Sequence, residues 1–384
     1  MFARGDAAAQ TSDRAWLQAM LDFEAELARA CASVGLVPSE AAEAIAAACD
    51  ASLYDVGEIG REAAASGTPV MPMLERLRAR VGGDFAKHVH VGATSQDVID
   101  TAAILVLTRT LPAISADAIA AADLCAGLAE RHRDTPIIGR TLLQQAMPTT
   151  FGLKAAGWLA DLDLAGGRLA EAAIDLSEVQ LGGAVGNLAV FGEHGQAVAT
   201  AVADALGLPP PLAPWHTQRA RIVVLGDMLA LLTGVLGKIG RDVTLLAQSE
   251  VAEVREGGEG RGGSSAMAHK QNPVSAVALV ACAERAPGLA ATLHSAMLQE
   301  HERGAGGWHA EWETLTLLLR LAGSSAAWGR DLFERLEVDT ERMRENLAAA
   351  AEAGIEDAAD PETHLGSAGA LVDAILAAHR GDAR

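Results

Sequence analysis

Residues 263–273 read Gly263-Ser264-Ser265-Ala266-Met267-Ala268-His269-Lys270-Gln271-Asn272-Pro273, and they follow a stretch in which five of the seven residues at 257–263 are glycine. Glycine at that density costs ordering entropy and opens backbone angles closed to other residues. Two readings follow. A mobile lid would close over a ligand, bring its own reactive groups and exclude water. A plain flexible linker would carry no chemistry. The glycines lead into Ser264, Lys270 and Asn272, and closure of a lid would strengthen a Lys270–carboxylate contact by excluding water.

The rest of the chain sets limits on that choice. Its 384 residues suffice for one large domain or two to three smaller ones. Half are apolar but only 3% aromatic, so the core must be built from Ala, Leu and Val, of which Ala and Leu are strong helix formers. A net charge of −20 argues against a nucleic-acid partner. It leaves room for a small anionic substrate, because a few Arg and Lys in a cleft set the local potential. Cys31, Cys49, Cys125 and Cys282 show no CxxC or metal spacing and are expected as core fillers. The start of the chain lacks the apolar stretch of a signal peptide. The most apolar run, 222–236, contains Asp227 and is soon followed by Lys238 and Arg241; it reads as too short and interrupted for a membrane span. A soluble cytoplasmic protein without a membrane partner is the expectation.

Helical periodicity dominates. Over 13–34, Trp16, Met20, Phe23, Leu27 and Ala30 fall on one stripe with charges opposite. Similar patterns predict helices over 97–131, 149–176, 219–247, 273–297 and 311–336. Alternating patterns are rare and no βαβ rhythm occurs, so the fold is mainly α. The run 222–236 is apolar nearly all round, and such a helix needs cover on every side. A bundle shared between subunits would provide it, as would the centre of a monomeric bundle. Breaks at 66–69, 207–211, 257–263 and 337–340 accompany a division into an N-terminal helical domain (1–100), a central helical bundle (101–336) and a short C-terminal helical domain (337–384).

Two further segments carry polar sets. In His90-Val91-Gly92-Ala93-Thr94-Ser95-Gln96-Asp97, Thr94 and Ser95 offer hydroxyls and backbone N–H groups just before a helix, which is either a helix cap or a carboxylate cradle. The second is Gly139-Arg140-Thr141-Leu142-Leu143-Gln144-Gln145-Ala146-Met147-Pro148-Thr149-Thr150.

Taken together, the three segments resemble those of the fumarase/aspartase superfamily. The loop matches its GSxxMxxKxN pattern at Gly263, Ser264, Met267, Lys270 and Asn272, and the other two look like its TSxD-type and GRTHxQxAxPTT segments. The resemblance implies a long central helical bundle and a homotetramer with active sites shared between three subunits. It implies a small polycarboxylate substrate and no metal or organic cofactor. It assigns Ser264 to the proton on the reacting carbon and Lys270 and Asn272 to a substrate carboxylate. Thr94, Ser95, Thr141 and Gln144 fall where relatives bind substrate. His90 and His269 are assigned to substrate positioning or loop support. Arg303 is a candidate carboxylate contact, since Arg forks carboxylates, with an ion pair to Glu300 or Glu302 as the alternative. His301 and His309 are read as titrating or packing residues, and Gln218 and Arg219 as structural.

Two departures narrow the chemistry. Leu142 stands where most lyases of the superfamily have a general-acid His, and Val277 stands where its Glu partner falls, seven residues after Lys270. A buried Glu without its His would be costly, so loss of one favours loss of both. Expelling an amine or water calls for a proton donor. A carboxylate, with a pKa near 4, leaves without one. Written backwards, that is intramolecular carboxylate addition to a double bond, which closes a lactone.

The chain accordingly resembles the cycloisomerase branch of the superfamily, in which 3-carboxy-cis,cis-muconate becomes 4-carboxymuconolactone during protocatechuate breakdown. Segments 13–22, 148–152, 214–219, 299–315 and 364–368 extend the resemblance along nearly the whole chain. A lyase of the adenylosuccinate type and a catalytically silent homologue are the alternatives. The C-terminal part beyond 337 is shorter than relatives usually carry, which puts any lid contribution from it in doubt.

Overall fold

The protein is described by a computed structural model covering residues 3–267 and 270–382. Ala268 and His269 lie outside the described residues, and with them the assignment made for His269.

Among the described residues, thirteen α-helices carry the fold. α1 (Ala7–Gln10), α2 (Asp13–Ser33), α3 (Ser39–Ala48), α4 (Val56–Ser66) and α5 (Val70–Val81) form the N-terminal part. α6 (Ser95–Arg131) leads to an antiparallel hairpin of β1 (Pro136–Thr141) and β2 (Gln144–Thr150), then to α7 (Phe151–Leu176), α8 (Gly195–Leu206) and α9 (Ala220–Leu246). β3 (Val254–Glu256) precedes the glycine-dense loop. Beyond the loop come α10 (Val274–Ala296), α11 (Gly307–Arg335), β4 (Leu336–Val338), α12 (Thr340–Glu352) and α13 (Ala368–His379).

Caps fix where these helices begin. Ser12 Oγ accepts from Ala15 N at the start of α2, Thr150 Oγ1 from Leu153 N at α7, and Asp339 from Arg342 N at α12. α6, α7, α9, α10 and α11 pack on one another as a five-helix bundle. Close approach of α9 and α10 depends on glycine: a Cβ on Gly237 would meet Ala283 Cβ at 2.1 Å, and one on Gly240 would meet Ala276 O at 2.7 Å. One core cluster joins this bundle to the N-terminal helices. A small second cluster, Ile138, Leu347, Ala350 and Ala358, seats α12 against the hairpin, and α13 lies on α6 and α7. All four cysteines are buried and free, as expected.

The membrane reading is corrected in one respect. The apolar run 222–236 belongs to a 27-residue helix, and α6, α9 and α10 are each long and apolar enough to cross a membrane by length and composition. Their faces carry polar contacts, the Arg241–Glu284 ion pair at 2.9 Å and a His294–Asp227 contact at 3.0 Å among them, which suit water or protein better than hydrocarbon. The cover on every side expected for the apolar run is incomplete in a single chain. Val224 and Leu231 on α9 and Val277 on α10 stay exposed at 40%, 38% and 49%.

Candidate active site

The Thr94 segment is built around Asp97. Thr94 caps α6 in a reciprocal capping box with Asp97, so the helix-cap reading of this segment holds. The buried Asp97 carboxylate then does more than cap. It accepts from Thr94 N, Gly182 N and Gly183 N, each at 2.9 Å, and pairs with His216 Nε2 at 2.7 Å. Gly183 is left-handed (φ +72°), and a Cβ there would meet Gly92 O at 2.8 Å. The two loops are thereby held edge to edge.

Arg303 docks onto the same place. Its Nη1 donates to Thr94 Oγ1 at 2.9 Å and its Nη2 to Ala184 O at 3.1 Å, rather than to Glu300 or Glu302. Its Nε is buried without an acceptor. His90, left-handed at φ 67°, brings Nδ1 to 2.6 Å from Glu24 Oε1. His90, Thr94, Ser95 and Arg303 are thus gathered at one end of the bundle.

The signature loop and the hairpin meet at the opposite end. Asn272 closes the neck of the loop: its backbone N and its Nδ2 both donate to Gly262 O at 2.8 Å. Arg261 anchors the loop to Asp331 and Ser275. Ser264 Oγ accepts from Ala266 N at 3.3 Å and Met267 N at 3.1 Å, and Lys270 is exposed. Thr141 pairs with Gln144 across the hairpin, so Leu142 and Leu143 form its two-residue turn. Both are left-handed, at φ 50° and 67°, and 97% and 74% exposed, an uncommon and strained state for leucine. Arg140 forks Glu253 with two contacts of 2.8 Å, tying the hairpin to the approach to the loop.

Between the two ends runs α6, whose 37 residues at about 1.5 Å each span about 55 Å. The nine candidate residues therefore form two groups in one chain, one at each end of the bundle. No dicarboxylate reaches both.

Several supporting residues escaped the sequence reading. Glu24 lies on a helix whose pattern puts charges opposite the apolar stripe, yet it is 1% exposed; its place four residues after Met20 and three before Leu27 is the available signal. Asp97 stands out in the sequence only as the last residue of the Thr94 segment. His216 and Glu253 gave no signal. The structural reading of Arg219 holds: it is buried between Asp100 and Glu311, with contacts of 2.8 and 2.5 Å. His309 packs against Trp308 and Trp312, and the backbone carbonyl of His301 accepts from Thr217 Oγ1.

Comparison with known proteins gives the family. Residues 4–288 match the Lyase family. The chain is 50% identical over 340 residues to a 3-carboxy-cis,cis-muconate cycloisomerase of Pseudomonas aeruginosa, covering 88% of this chain and 74% of that protein. It is 45% identical over 351 residues to a nitrosuccinate lyase of Streptomyces davaonensis, covering 88% and 74%. The crystal structure of 3-carboxy-cis,cis-muconate lactonizing enzyme from Pseudomonas putida superimposes with a TM-score of 0.88 at 39% identity, over 97% of this chain and 96% of that one. With the mainly α bundle and the matched loop already described, these likenesses establish that the chain belongs to the Lyase family, on the fumarase-type fold that it shares with the cycloisomerases.

Proposed function

We propose that the protein is a cycloisomerase that closes 3-carboxy-cis,cis-muconate to 4-carboxymuconolactone. The observation that carries the reading is the aliphatic pair Leu142 and Val277, in a chain half identical to a cycloisomerase over most of its length. Leu142 tops the hairpin and Val277 lies in the first turn of α10, four residues after Pro273; neither gives or takes a proton. In the reaction a substrate carboxylate oxygen bonds to one alkene carbon while the pair of electrons moves to its neighbour, beside a second carboxylate. Ser264 delivers the proton to that carbanion and regains one from solvent, so no redox partner or cofactor is consumed. Lys270, Asn272 and Arg303 hold carboxylate charge, with Thr94, Ser95, Thr141, Gln144 and His90 positioning the chain of the substrate. A cytoplasmic metabolic enzyme fits this chemistry.

The assay is direct. Adding the substrate should bring loss of its conjugated-diene absorbance in the ultraviolet, with 4-carboxymuconolactone as product. Fumarate release from adenylosuccinate, with no change in the muconate spectrum, would replace this reading with an ordinary lyase.

The same reading calls for a homotetramer, because two half-sites about 55 Å apart in one chain become a whole only between copies. The apolar faces of α9 and α10 offer the surface on which copies would pack. On the division 1–100, 101–336 and 337–384, one half-site then joins His90, Thr94 and Ser95 of the first part to Arg303 of the central bundle, and the other lies wholly in the central bundle. Complementation tests the arrangement. Arg303→Met and Lys270→Met should each be inactive alone. Mixed after dissociation and reassembly, they should recover on the order of a quarter of wild-type activity, the share of sites drawing both intact segments from different copies. No recovery would mean that each chain builds its own site.

A further inference from the structure

One member of the site described so far, His90, has a buried ionisable partner whose part has not been given. Glu24 sits in the middle of α2 with a fully buried side chain, and His90 lies over it with 13% of its side chain exposed. Glu24 Oε1 is 2.6 Å from His90 Nδ1, while Glu24 Oε2 is buried with no hydrogen-bond partner. A carboxylate with one oxygen unsatisfied in the core is expensive unless a full positive charge stands beside it. A neutral imidazole offers only an N–H. An imidazolium offers the charge.

We propose that Glu24 is a positioning residue that fixes the tautomer and charge of His90, making the ring a cationic donor for a substrate carboxylate at the Thr94 end. The proposal rests on the function argued above. With Nδ1 committed to Glu24, the remaining nitrogen, Nε2, reports the protonation state. On neutral His90 it is a lone pair that repels a carboxylate; on the cation it is an N–H that binds one. A ligand reaching the pair meets the ring and not the carboxylate, because only the ring has exposure. His90 stands four residues before Thr94, whose hydroxyl holds Arg303, so the imidazolium and the guanidinium belong to the same half-site.

The groups acting on the ring come from three helices. Burial lowers its pKa, Glu24 from α2 and Asp97 from α6 raise it, and Arg78 from α5 lowers it; the net direction is upward. The sign is that of a base with a raised folded-state pKa. The favourable pairing is complete below the pKa of a free His and is lost as pH rises through the higher folded value.

Two measurements test this, and the first does not depend on the enzyme's substrate. In ring-15N-histidine spectra, the His90 resonance (assigned by its absence in His90→Gln) should keep its proton to higher pH in wild type than in Glu24→Gln. The midpoint should fall by on the order of one to three pH units in the variant. An unmoved midpoint overturns the proposal. In the second, KM for 3-carboxy-cis,cis-muconate should begin its rise at correspondingly lower pH in Glu24→Gln, with kcat changed about threefold or less. A KM–pH profile identical to wild type, despite a shifted ring titration, overturns the substrate contact. If wild type does not turn over the muconate at all, the functional reading fails and the ring titration still decides what Glu24 does.

Discussion

Ser264→Ala should lose roughly a thousandfold in kcat while KM stays within about threefold, since a positioned proton donor is commonly worth 10²–10⁴. The expectation comes from what surrounds the hydroxyl. Ser264 Oγ accepts from two successive backbone groups, Ala266 N and Met267 N, so the oxygen has donors aimed at it before any proton leaves. Backbone donors aimed at an oxygen favour the negative charge that it carries once its proton is given. Binding should survive, because Lys270 and Asn272 are separate side chains and Asn272 closes the loop neck whatever stands at 264. Ultraviolet kinetics gives kcat and KM, and calorimetric titration with substrate gives binding to the inactive variant. A kcat within about threefold of wild type would remove Ser264 from the proton transfer.

The fold was legible because its carriers are long. Each of the six periodic runs corresponds to an observed helix, with ends displaced by at most a few residues; the last, expected from 311, starts earlier at Gly307. Sustained apolar spacing over 20 or more residues leaves little doubt about helix, and caps such as Ser12 and Thr94 sharpen the starts. The β elements were not legible. β3 and β4 have three residues each, too few to show alternation, and they pair Val254 with Val338 across more than eighty residues of chain. β1 and β2 were quoted for their side chains, yet the turn between them offered no Asn-Gly or Asp-Gly signal. Leu142 and Leu143 occupy a turn that local propensity would have refused them.

The candidate site was legible as a set of residue types and not as an arrangement. Thr94 and Arg303 are over two hundred residues apart, and nothing in either segment announces that one donates to the other. The division into two ends, in contrast, is a consequence of α6 alone. A continuous helix beginning one residue after Thr94 and ending shortly before the hairpin must carry those segments apart. The buried charges were invisible for a different reason. Asp100, Glu311 and Glu24 sit on helices whose pattern assigns charge to the outside, and their burial becomes intelligible only with their partners in place.

That burial sets the second large effect, Arg219→Met, which should cost about 3–5 kcal/mol of folding stability. Arg219 is 3% exposed and is the shared counter-ion of two buried carboxylates: Nη1 and Nη2 fork Asp100 at 2.8 and 3.0 Å, and Nε and Nη2 fork Glu311 at 3.0 and 2.5 Å. Burial alone would lower the guanidinium pKa, but Asp100 and Glu311 raise it, so it stays charged. Burial, helped by the like charge of Asp100, holds the Glu311 carboxyl above the usual carboxylate range even against Arg219. Two acids on one base are tolerated because neutral donors complete the shell. Trp308 Nε1 serves Asp100 at 3.0 Å, Gln96 Nε2 serves it at 3.1 Å, and Gln299 Nε2 serves Glu311 at 2.9 Å. Methionine fills most of the space and removes the charge, stranding both carboxylates. The cost should therefore come from the acids left behind, and a triple variant tests that cause. Arg219→Met with Asp100→Asn and Glu311→Gln should recover most of the loss in urea denaturation followed by circular dichroism. A triple variant no more stable than Arg219→Met would mean that the guanidinium acts through packing against Trp215, 5.0 Å from its ring centroid, and not as the counter-ion of the cluster.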